Sequence, residues 1–143
     1  MTHLKQTDTQ TCKDIVQDRC DSRMADLETL YKLAIEDSEA YDANLGNLSE
    51  YGLGFSYVAP ETFSDQLEGY YRYQLSYGGP SQEIRFYVSP NADHTCNVTQ
   101  DCGQLHHTPY RIEFWHMDWY DGASVDITNS QLAKDLYNYF NCY

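Results

Sequence analysis

Two segments on either side of a glycine-proline turn constrain the fold of this chain most strongly. Residues 71–77 alternate Tyr, Tyr, Leu and Tyr with polar side chains, and residues 84–88 alternate Ile, Phe and Val with Arg and Tyr. A two-residue repeat of apolar side chains is typical of a β-strand with one buried face. Between the segments stands Gly78-Gly79-Pro80-Ser81, a run of residues that turns favour. We therefore predict a β-hairpin.

Further strands are predicted on both sides of this hairpin. Residues 53–57 carry Leu, Phe and Tyr at alternate positions, and Pro60 ends the pattern. Residues 110–119 form a long strand after the hairpin, with apolar residues again at alternate positions. Asp121-Gly122 then has the composition of a turn and precedes a short strand around residues 125–127. Together these segments predict an antiparallel meander of four to five strands.

Helices are predicted at both ends of the chain. From Cys12 to about Tyr41 the apolar residues recur every three or four positions, which is typical of an amphipathic helix. The pattern fits one helix, or two helices with a break near Asp37-Ser38. Ser130 can cap a last helix near the end of the chain. The apolar positions of the first helix are Val16, Cys20, Met24, Leu27, Tyr31 and Ala34.

The order of these elements predicts an α+β fold: an N-terminal helix, an antiparallel meander and a C-terminal helix, with the helices on one face of the sheet. A length of 143 residues fits one domain. We expect a single domain over residues 1–143, in which residues 1–11 are disordered and residues 93–107 form a long loop between strands.

The charge of the chain indicates what kind of partner it binds. It has 22 Asp and Glu against 9 Lys and Arg, a net charge of −13, and no basic residue lies between Lys32 and Arg72. An excess of this size repels nucleic acid and attracts basic surfaces, so we expect no direct binding to nucleic acid. The acidic residues that we expect to contact a partner are Glu36, Asp37, Glu39, Asp42, Glu50, Glu61, Asp65 and Glu68.

An aromatic cluster near the end of the long strand has two interpretations. In the first, Trp115 and Trp119 belong to a core strand and lie on the face that a helix covers, as sheet packing favours. In the second, the two indoles form an acid-rimmed patch with Asp118 and Asp121 that anchors a protein partner. We include these four residues among the candidate partner contacts.

Residues 93–107 contain a cluster of cysteine and histidine residues that could bind a metal ion. His94, Cys96, Cys102 and His106, with His107 beside them, offer the nitrogen and sulfur atoms that zinc prefers. Their spacing, Cys-x5-Cys-x3-His, matches no standard zinc knuckle, and a loop of polar surface residues is the simpler interpretation. We therefore expect no metal and no cofactor.

Other features argue against an enzyme and for the cytoplasm. The sequence has no Walker loop, no GxGxxG and no Gly-x-Ser-x-Gly elbow. No apolar run is long enough to cross a membrane, and the polar residues 1–6 do not form a signal peptide, so we expect no membrane association and a cytoplasmic location. In that reducing compartment the five cysteines are expected to be free thiols.

Parts of the chain resemble small acidic proteins carried by phages and plasmids. Among such proteins, inhibitors of host defence of the anti-CRISPR and anti-restriction types are prominent, and several of them mimic DNA. The resemblance implies no catalytic residue. It spans residues 50–123, about half of the chain, and is carried there by EYGLGFSYVAP at 50–60, EGYYRYQLSYGGPS at 68–81, YRIEFW at 110–115 and DWYDGA at 118–123.

The combined prediction is a non-enzymatic inhibitor, encoded by a mobile element, that occludes a basic nucleic-acid-handling surface. The expected target is a host CRISPR effector, followed by a restriction enzyme. Carboxylates would pair with Lys and Arg of the target, and aromatic side chains would anchor the complex. Two alternatives stay open: a small zinc- or thiol-dependent enzyme that uses the His94–His107 cluster, and an acidic accessory protein with no inhibitory role. The oligomeric state stays open as well.

Overall fold

The helices and strands of the protein follow one another in the predicted order. The computed structural model describes residues 11–37, 39–64, 66–88 and 109–141. Its elements are α1 (Cys12–Glu36), α2 (Leu48–Tyr51), β1 (Gly54–Val58), β2 (Tyr70–Ser76), β3 (Ser81–Tyr87), β4 (Arg111–Asp118), β5 (Asp121–Asp126) and α3 (Gln131–Asn141).

The strands form one antiparallel sheet in the order β1-β2-β3-β4-β5. This arrangement confirms the predicted α+β fold and the predicted hairpin, in which β2 pairs with β3. The connection between these strands contains Gly78 and Gly79 at φ angles of 75° and 22°, where glycine is the least strained residue. We expected residues 1–11 to be disordered and residues 93–107 to form a long loop. Residues 1–10 and 93–107 lie outside the described residues, whereas Thr11 is described and caps the first helix.

The first helix is continuous from Cys12 to Glu36, which settles the choice between one helix and two. It begins at a capping box, because the Thr11 hydroxyl accepts a hydrogen bond from the Asp14 N–H and the Asp14 carboxylate accepts one from the Thr11 N–H. We expected the helix to continue to about Tyr41, but it ends at Glu36. Asp37 is extended there, and its Oδ1 accepts the Glu39 N–H at 3.0 Å, a local bond that competes with helix formation.

The short helix α2 was not predicted. Its N-cap is Asn47, whose Oδ1 accepts the Glu50 N–H at 3.0 Å. The predicted cap of the last helix is confirmed, because the Ser130 hydroxyl accepts the Ala133 N–H at 3.1 Å. Among the helices in the described part of the chain, none is both long and apolar enough to cross a bilayer.

The main core lies between α1, α3 and one face of the sheet. The central strands contribute Ile84, Phe86, Ile112 and Phe114, each without solvent exposure. Phe55 of β1 stacks on Tyr71, with ring centroids 5.5 Å apart. The helices contribute Val16, Cys20, Leu27, Leu30, Ala133, Leu136 and Tyr137 to the same core.

Two details of the hairpin differ from the prediction of one buried face. Tyr70 and Tyr87 are buried on the opposite face as well, where their rings lie 5.3 Å apart and pack with Val58. Tyr77, which we expected beside Leu75 in the core, is 81% exposed. The pairing register shifts between Gln74 and Ser76, and the two-residue alternation of the strand ends there.

Candidate partner-binding surface

The connection between β4 and β5 presents two aromatic side chains to solvent. Asp118 pairs with Asp121, so Trp119 and Tyr120 are the two residues of the turn. Trp119 is 89% exposed and Tyr120 is fully exposed. Trp119 also has a φ angle of 55°, in the left-handed region that costs a residue other than glycine about 1–2 kcal/mol. The folded chain therefore bears this strain without burying the indole.

The base of this turn is tied to the first helix. The Cys12 N–H donates to Asp121 Oδ2 at 2.7 Å, and Cys12 itself is buried. This hydrogen bond holds the pKa of Asp121 below its usual range, so the carboxylate stays charged. Because strand pairing and the bond to α1 hold the turn in place, Trp119 and Tyr120 are displayed on a fixed support. We call residues Asp118, Trp119, Tyr120 and Asp121 the anchor turn.

Trp115 lies elsewhere, and the prediction that a helix covers both tryptophans is wrong. Ile112 and Phe114 point to the core, so the alternation of β4 places Trp115 on the opposite face of the sheet. There its Nε1 donates to Glu113 Oε1 at 2.9 Å, and the guanidinium of Arg85 lies 4.2 Å from its ring. Trp119 lies beyond the end of the strand. The two indoles therefore do not form one patch.

Several predicted acidic contacts form local structure instead of a free charged row. Asp37 accepts the Glu39 N–H, and Asp42 Oδ2 accepts the N–H groups of Asn44 and Leu45, each at 3.0 Å. Such bonds are typical of aspartates that stabilise turns. Glu36 and Glu39, in contrast, are exposed at the end of α1 and just after it.

The remaining acids are distributed over other segments. Glu50 in α2 accepts a long hydrogen bond of 3.5 Å from the Tyr41 hydroxyl, and Glu61 is exposed in the loop between β1 and β2. Glu68 accepts hydrogen bonds from the Tyr110 hydroxyl and from Arg111, which hold its pKa below its usual range. Asp65 lies outside the described residues. The acids thus do not follow a single helix face, and Glu68 is already paired.

The face of the sheet turned away from α1 and α3 carries alternating arginines, aromatic rings and carboxylates. Arg85 pairs with Glu83 at 2.6 Å, and Arg111 pairs with Glu68 at 2.7 Å and with Glu113 at 3.1 Å. The guanidinium of Arg111 also lies 3.9 Å from the centre of the Tyr87 ring. We call this the open face. It was not predicted, because charged residues at alternate strand positions are also typical of a solvated surface.

A buried polar network joins α1 to the sheet and was missed from the sequence. Arg23 Nε donates to Gln82 Oε1 at 2.6 Å, and Gln82 Nε2 lies 2.9 Å from His116 Nδ1. Arg23 also donates to the Tyr51 hydroxyl, which donates to Asp26. Gln82 and His116 occupy positions of the apolar period, two residues from Ile84 and Phe114. Polar residues at those positions are the sequence signal that identifies such a network.

The network also defines the state of His116. Arginine only donates hydrogen bonds, so the Gln82 carbonyl faces Arg23 and the Gln82 amide NH₂ faces the imidazole. His116 Nδ1 therefore accepts, and the proton of the neutral ring is on Nε2. Burial, with the nearby charge of Arg19, lowers the pKa of His116 below its ordinary value and favours this neutral form.

The predicted metal candidates His94, Cys96, Cys102 and His106 lie outside the described residues, as does His107. Within residues 11–37, 39–64, 66–88 and 109–141, no group of three His, Cys, Asp or Glu side chains could hold a metal ion. Cys12 and Cys20 are buried free thiols. Burial raises the pKa of Cys20 to about 11 and also raises that of Cys12, so both are poor nucleophiles.

Comparison of the chain with protein-family models, curated proteins and solved structures found no match in any of the three. The resemblance of residues 50–81 and 110–123 to phage and plasmid proteins therefore stays a prediction. A fold alone does not indicate a function, which has to come from the geometry of a site. Among the described residues, Trp119 and Tyr120 of the anchor turn are the most exposed large hydrophobic side chains.

Proposed function

We propose that this protein is a non-enzymatic binding protein that docks the anchor turn and neighbouring acidic surface on a basic protein surface. The observation that carries the proposal is the exposure of Trp119, in a left-handed conformation, beside Tyr120 and between two aspartates. A two-residue β-hairpin turn favours a positive φ and is usually formed by Gly, Asn or Asp, so a large exposed indole at this position is unusual and points to a role outside the fold.

The chemistry of the anchor turn suits lysine and arginine side chains of a partner. A cation over an indole ring contributes about 0.5–2 kcal/mol, depending on how far it is desolvated. Carboxylates beside the ring can accept charge-assisted hydrogen bonds from the same guanidinium. Trp and Tyr are also enriched among the residues that dominate binding energy at interfaces. Because the turn is already held by β4, β5 and Cys12, little conformational entropy is lost on binding.

The net charge of −13 supplies the long-range part of the interaction. A field of one sign accelerates the encounter with a basic surface and disfavours nucleic acid, which carries the same sign. Basic surfaces of this kind occur on proteins that handle nucleic acid. We therefore propose an inhibitor that occludes such a surface on a host defence complex, with a CRISPR effector as the first candidate and a restriction enzyme as the second. The resemblance to mobile-element proteins supports this choice of target.

The test compares two exposed aromatic residues that lie at opposite ends of α1. Purified guide-loaded CRISPR effectors and restriction enzymes are assayed for binding and for loss of DNA cleavage, with wild type, Trp119→Ala and Tyr41→Ala. Tyr41 is the matched control, because it is 62% exposed just beyond the C-terminal end of α1, whereas the anchor turn is bonded to Cys12 at the N-terminal end of this 25-residue helix. We expect Trp119→Ala to weaken binding about tenfold or more, as for a hot-spot residue, and Tyr41→Ala to have little effect.

Two results would contradict the proposal in different ways. If wild type neither binds nor inhibits any member of the panel, the proposed class of target is wrong. If wild type binds and Trp119→Ala binds equally tightly, the anchor turn is not the contact surface.

A further inference from the structure

The open face concentrates positive charge in an otherwise acidic protein. Arg72, Arg85 and Arg111 all lie on it, although the whole chain has only 9 basic residues and a net charge of −13. Arg85 and Arg111 each have glutamate partners, described above, although both guanidinium groups keep their charge. Arg72 differs from them, because among the described residues no carboxylate lies within ion-pair distance of its guanidinium.

The strand register makes the position of Arg72 unfavourable on its own. Arg72 in β2 is directly opposite Arg85 in β3, and its other cross-strand neighbour, in β1, is Ser56. Side chains that face each other across an antiparallel pair have Cβ atoms about 4.5–5.5 Å apart, and like charges at such positions are destabilising. Arg72 is also partly buried, so its charge is not fully hydrated. An anion between Arg72 and Arg85 removes this repulsion.

A groove next to this pair has room for such an anion and for an apolar body attached to it. It has a volume of about 480 Å³, and both Arg72 and Arg85 line it. The Tyr70 ring, which lies 4.9 Å from the Arg85 guanidinium, forms part of its floor, and Phe63 and Met117 add apolar surface. The buried carboxylate of Glu83, the partner of Arg85, also lines the groove. The groove thus combines the guanidinium group of Arg72, which has no such partner among the described residues, and the paired guanidinium group of Arg85 with flat apolar walls.

We propose that the groove on the open face binds a small aromatic phosphate monoester. Its phosphate lies between Arg72 and Arg85, and its ring lies against Tyr70 and Phe63. A phosphate monoester carries nearly two negative charges near pH 7 and three acceptor oxygens, so it can accept hydrogen bonds from two guanidinium groups at once. Arginine is well suited to this contact because its planar fork matches phosphate oxygens. A carboxylate has one charge and two oxygens, and it satisfies the pair less completely.

The probe for this site is phenyl phosphate, titrated at constant ionic strength and followed by tryptophan fluorescence and amide NMR shifts. Wild type should show saturable binding, with shifts at Tyr70, Arg85 and Trp115. Arg72→Gln should weaken this binding roughly tenfold or more, because it removes a charge-assisted contact. Arg19→Gln is the matched control. It removes an arginine from an exposed part of α1, where Arg19 is paired only with Asp18 at 3.5 Å, and should leave binding unchanged.

Two other ligands, benzoate and inorganic phosphate, test whether the groove prefers an aromatic phosphate monoester. Benzoate should bind more weakly than phenyl phosphate, and inorganic phosphate should also bind more weakly because it has no ring. Equal binding of benzoate overturns the assignment to a phosphate. The absence of saturable binding of phenyl phosphate, or an equal loss in Arg72→Gln and Arg19→Gln, overturns the site.

Thermal unfolding provides a second, independent measurement. Without ligand, Arg72→Gln should unfold at the same temperature as wild type or a higher one, because the substitution relieves the repulsion with Arg85. Phenyl phosphate should raise the unfolding temperature of wild type but not of the variant. A clear destabilisation by Arg72→Gln would show that an internal partner holds this charge, and it would overturn the proposal. Trp119→Ala should bind phenyl phosphate normally, so the proposed partner surface and this groove can fail separately.

Discussion

Replacing Gln82 by alanine tests the buried polar network most directly. Gln82 is 6% exposed and accepts the 2.6 Å hydrogen bond from Arg23, while its amide donates to His116 at 2.9 Å. A hydrogen bond to a charged group contributes about 1.5–3 kcal/mol and a neutral one about 0.5–1.5 kcal/mol. Gln82→Ala should therefore reduce the free energy of unfolding by about 2–4.5 kcal/mol. At roughly 3 °C per kcal/mol for a chain of this size, the unfolding temperature should fall by about 6–14 °C.

A second substitution separates the two bonds. Gln82→Glu keeps an acceptor for Arg23 and loses only the donor to His116, so it should reduce the free energy of unfolding by no more than about 1.5 kcal/mol. The new carboxylate also faces the imidazole, so it should raise the pKa of His116, which NMR titration of the ring can measure. The control is Gln17→Ala. Gln17 is exposed on α1, where its amide binds Asp21 at 2.9 Å, and its loss should change stability by less than about 0.5 kcal/mol.

Urea unfolding at pH 7 measures all three variants, and equal m-values would show that the same unfolding transition is being compared. A loss of stability in Gln82→Ala no larger than that in Gln17→Ala would show that the network does not stabilise the fold. A loss in Gln82→Glu as large as that in Gln82→Ala would show that the bond to Arg23 contributes nothing.

Three further predictions concern other parts of the protein. Burial lowers the pKa of His116 in the folded protein, whereas a histidine in the unfolded chain has a pKa of about 6.5. The contribution of neutral His116 to stability should therefore be complete above about pH 6.5 and should fall as the pH drops toward the lower pKa of the folded state. His116→Gln should flatten this pH dependence, measured by urea unfolding at pH 5–7. Trp119→Gly should leave the free energy of unfolding within about 1 kcal/mol of wild type, since relief of the left-handed strain offsets the greater freedom of the unfolded chain. A much larger loss of stability in thermal unfolding would show that the indole packs within the fold. Asp42→Ala should cost about 1 kcal/mol because it removes the acceptor of two backbone N–H groups, whereas Glu39→Ala should cost almost nothing; equal losses for the two variants would contradict the turn role of Asp42.

The main elements of the fold could be predicted from local patterns. The alternation on either side of Gly78-Gly79 predicted the β2–β3 hairpin, and the three-to-four spacing from Val16 to Ala34 predicted α1. Both patterns arise because a helix and a strand each have a fixed repeat, so one buried face is visible in the sequence. The four-residue helix α2 has too few residues to show a repeat.

The candidate sites were predicted less completely. Trp119, Asp118 and Asp121 were predicted from composition to contact a partner, and the anchor turn brings these three together. Trp115 was grouped with them because it is near in sequence, but strand alternation places it on the open face under Arg85. Composition shows which residues are present and does not show which of them share a surface.

The sequence by itself determined the class of the fold, the net charge and the positions of the principal turns, because each depends on residues that are neighbours in the chain or on the chain as a whole. The tertiary structure decided which charged and polar side chains are already paired within the chain. Glu68 is held by Arg111, which is 43 positions away, and Gln82 is held by Arg23, which is 59 positions away. It also decided that Arg72 faces Arg85 and that Trp119 is 89% exposed. These facts depend on strand register and on the packing of α1 across the sheet, which join residues that no local repeat connects.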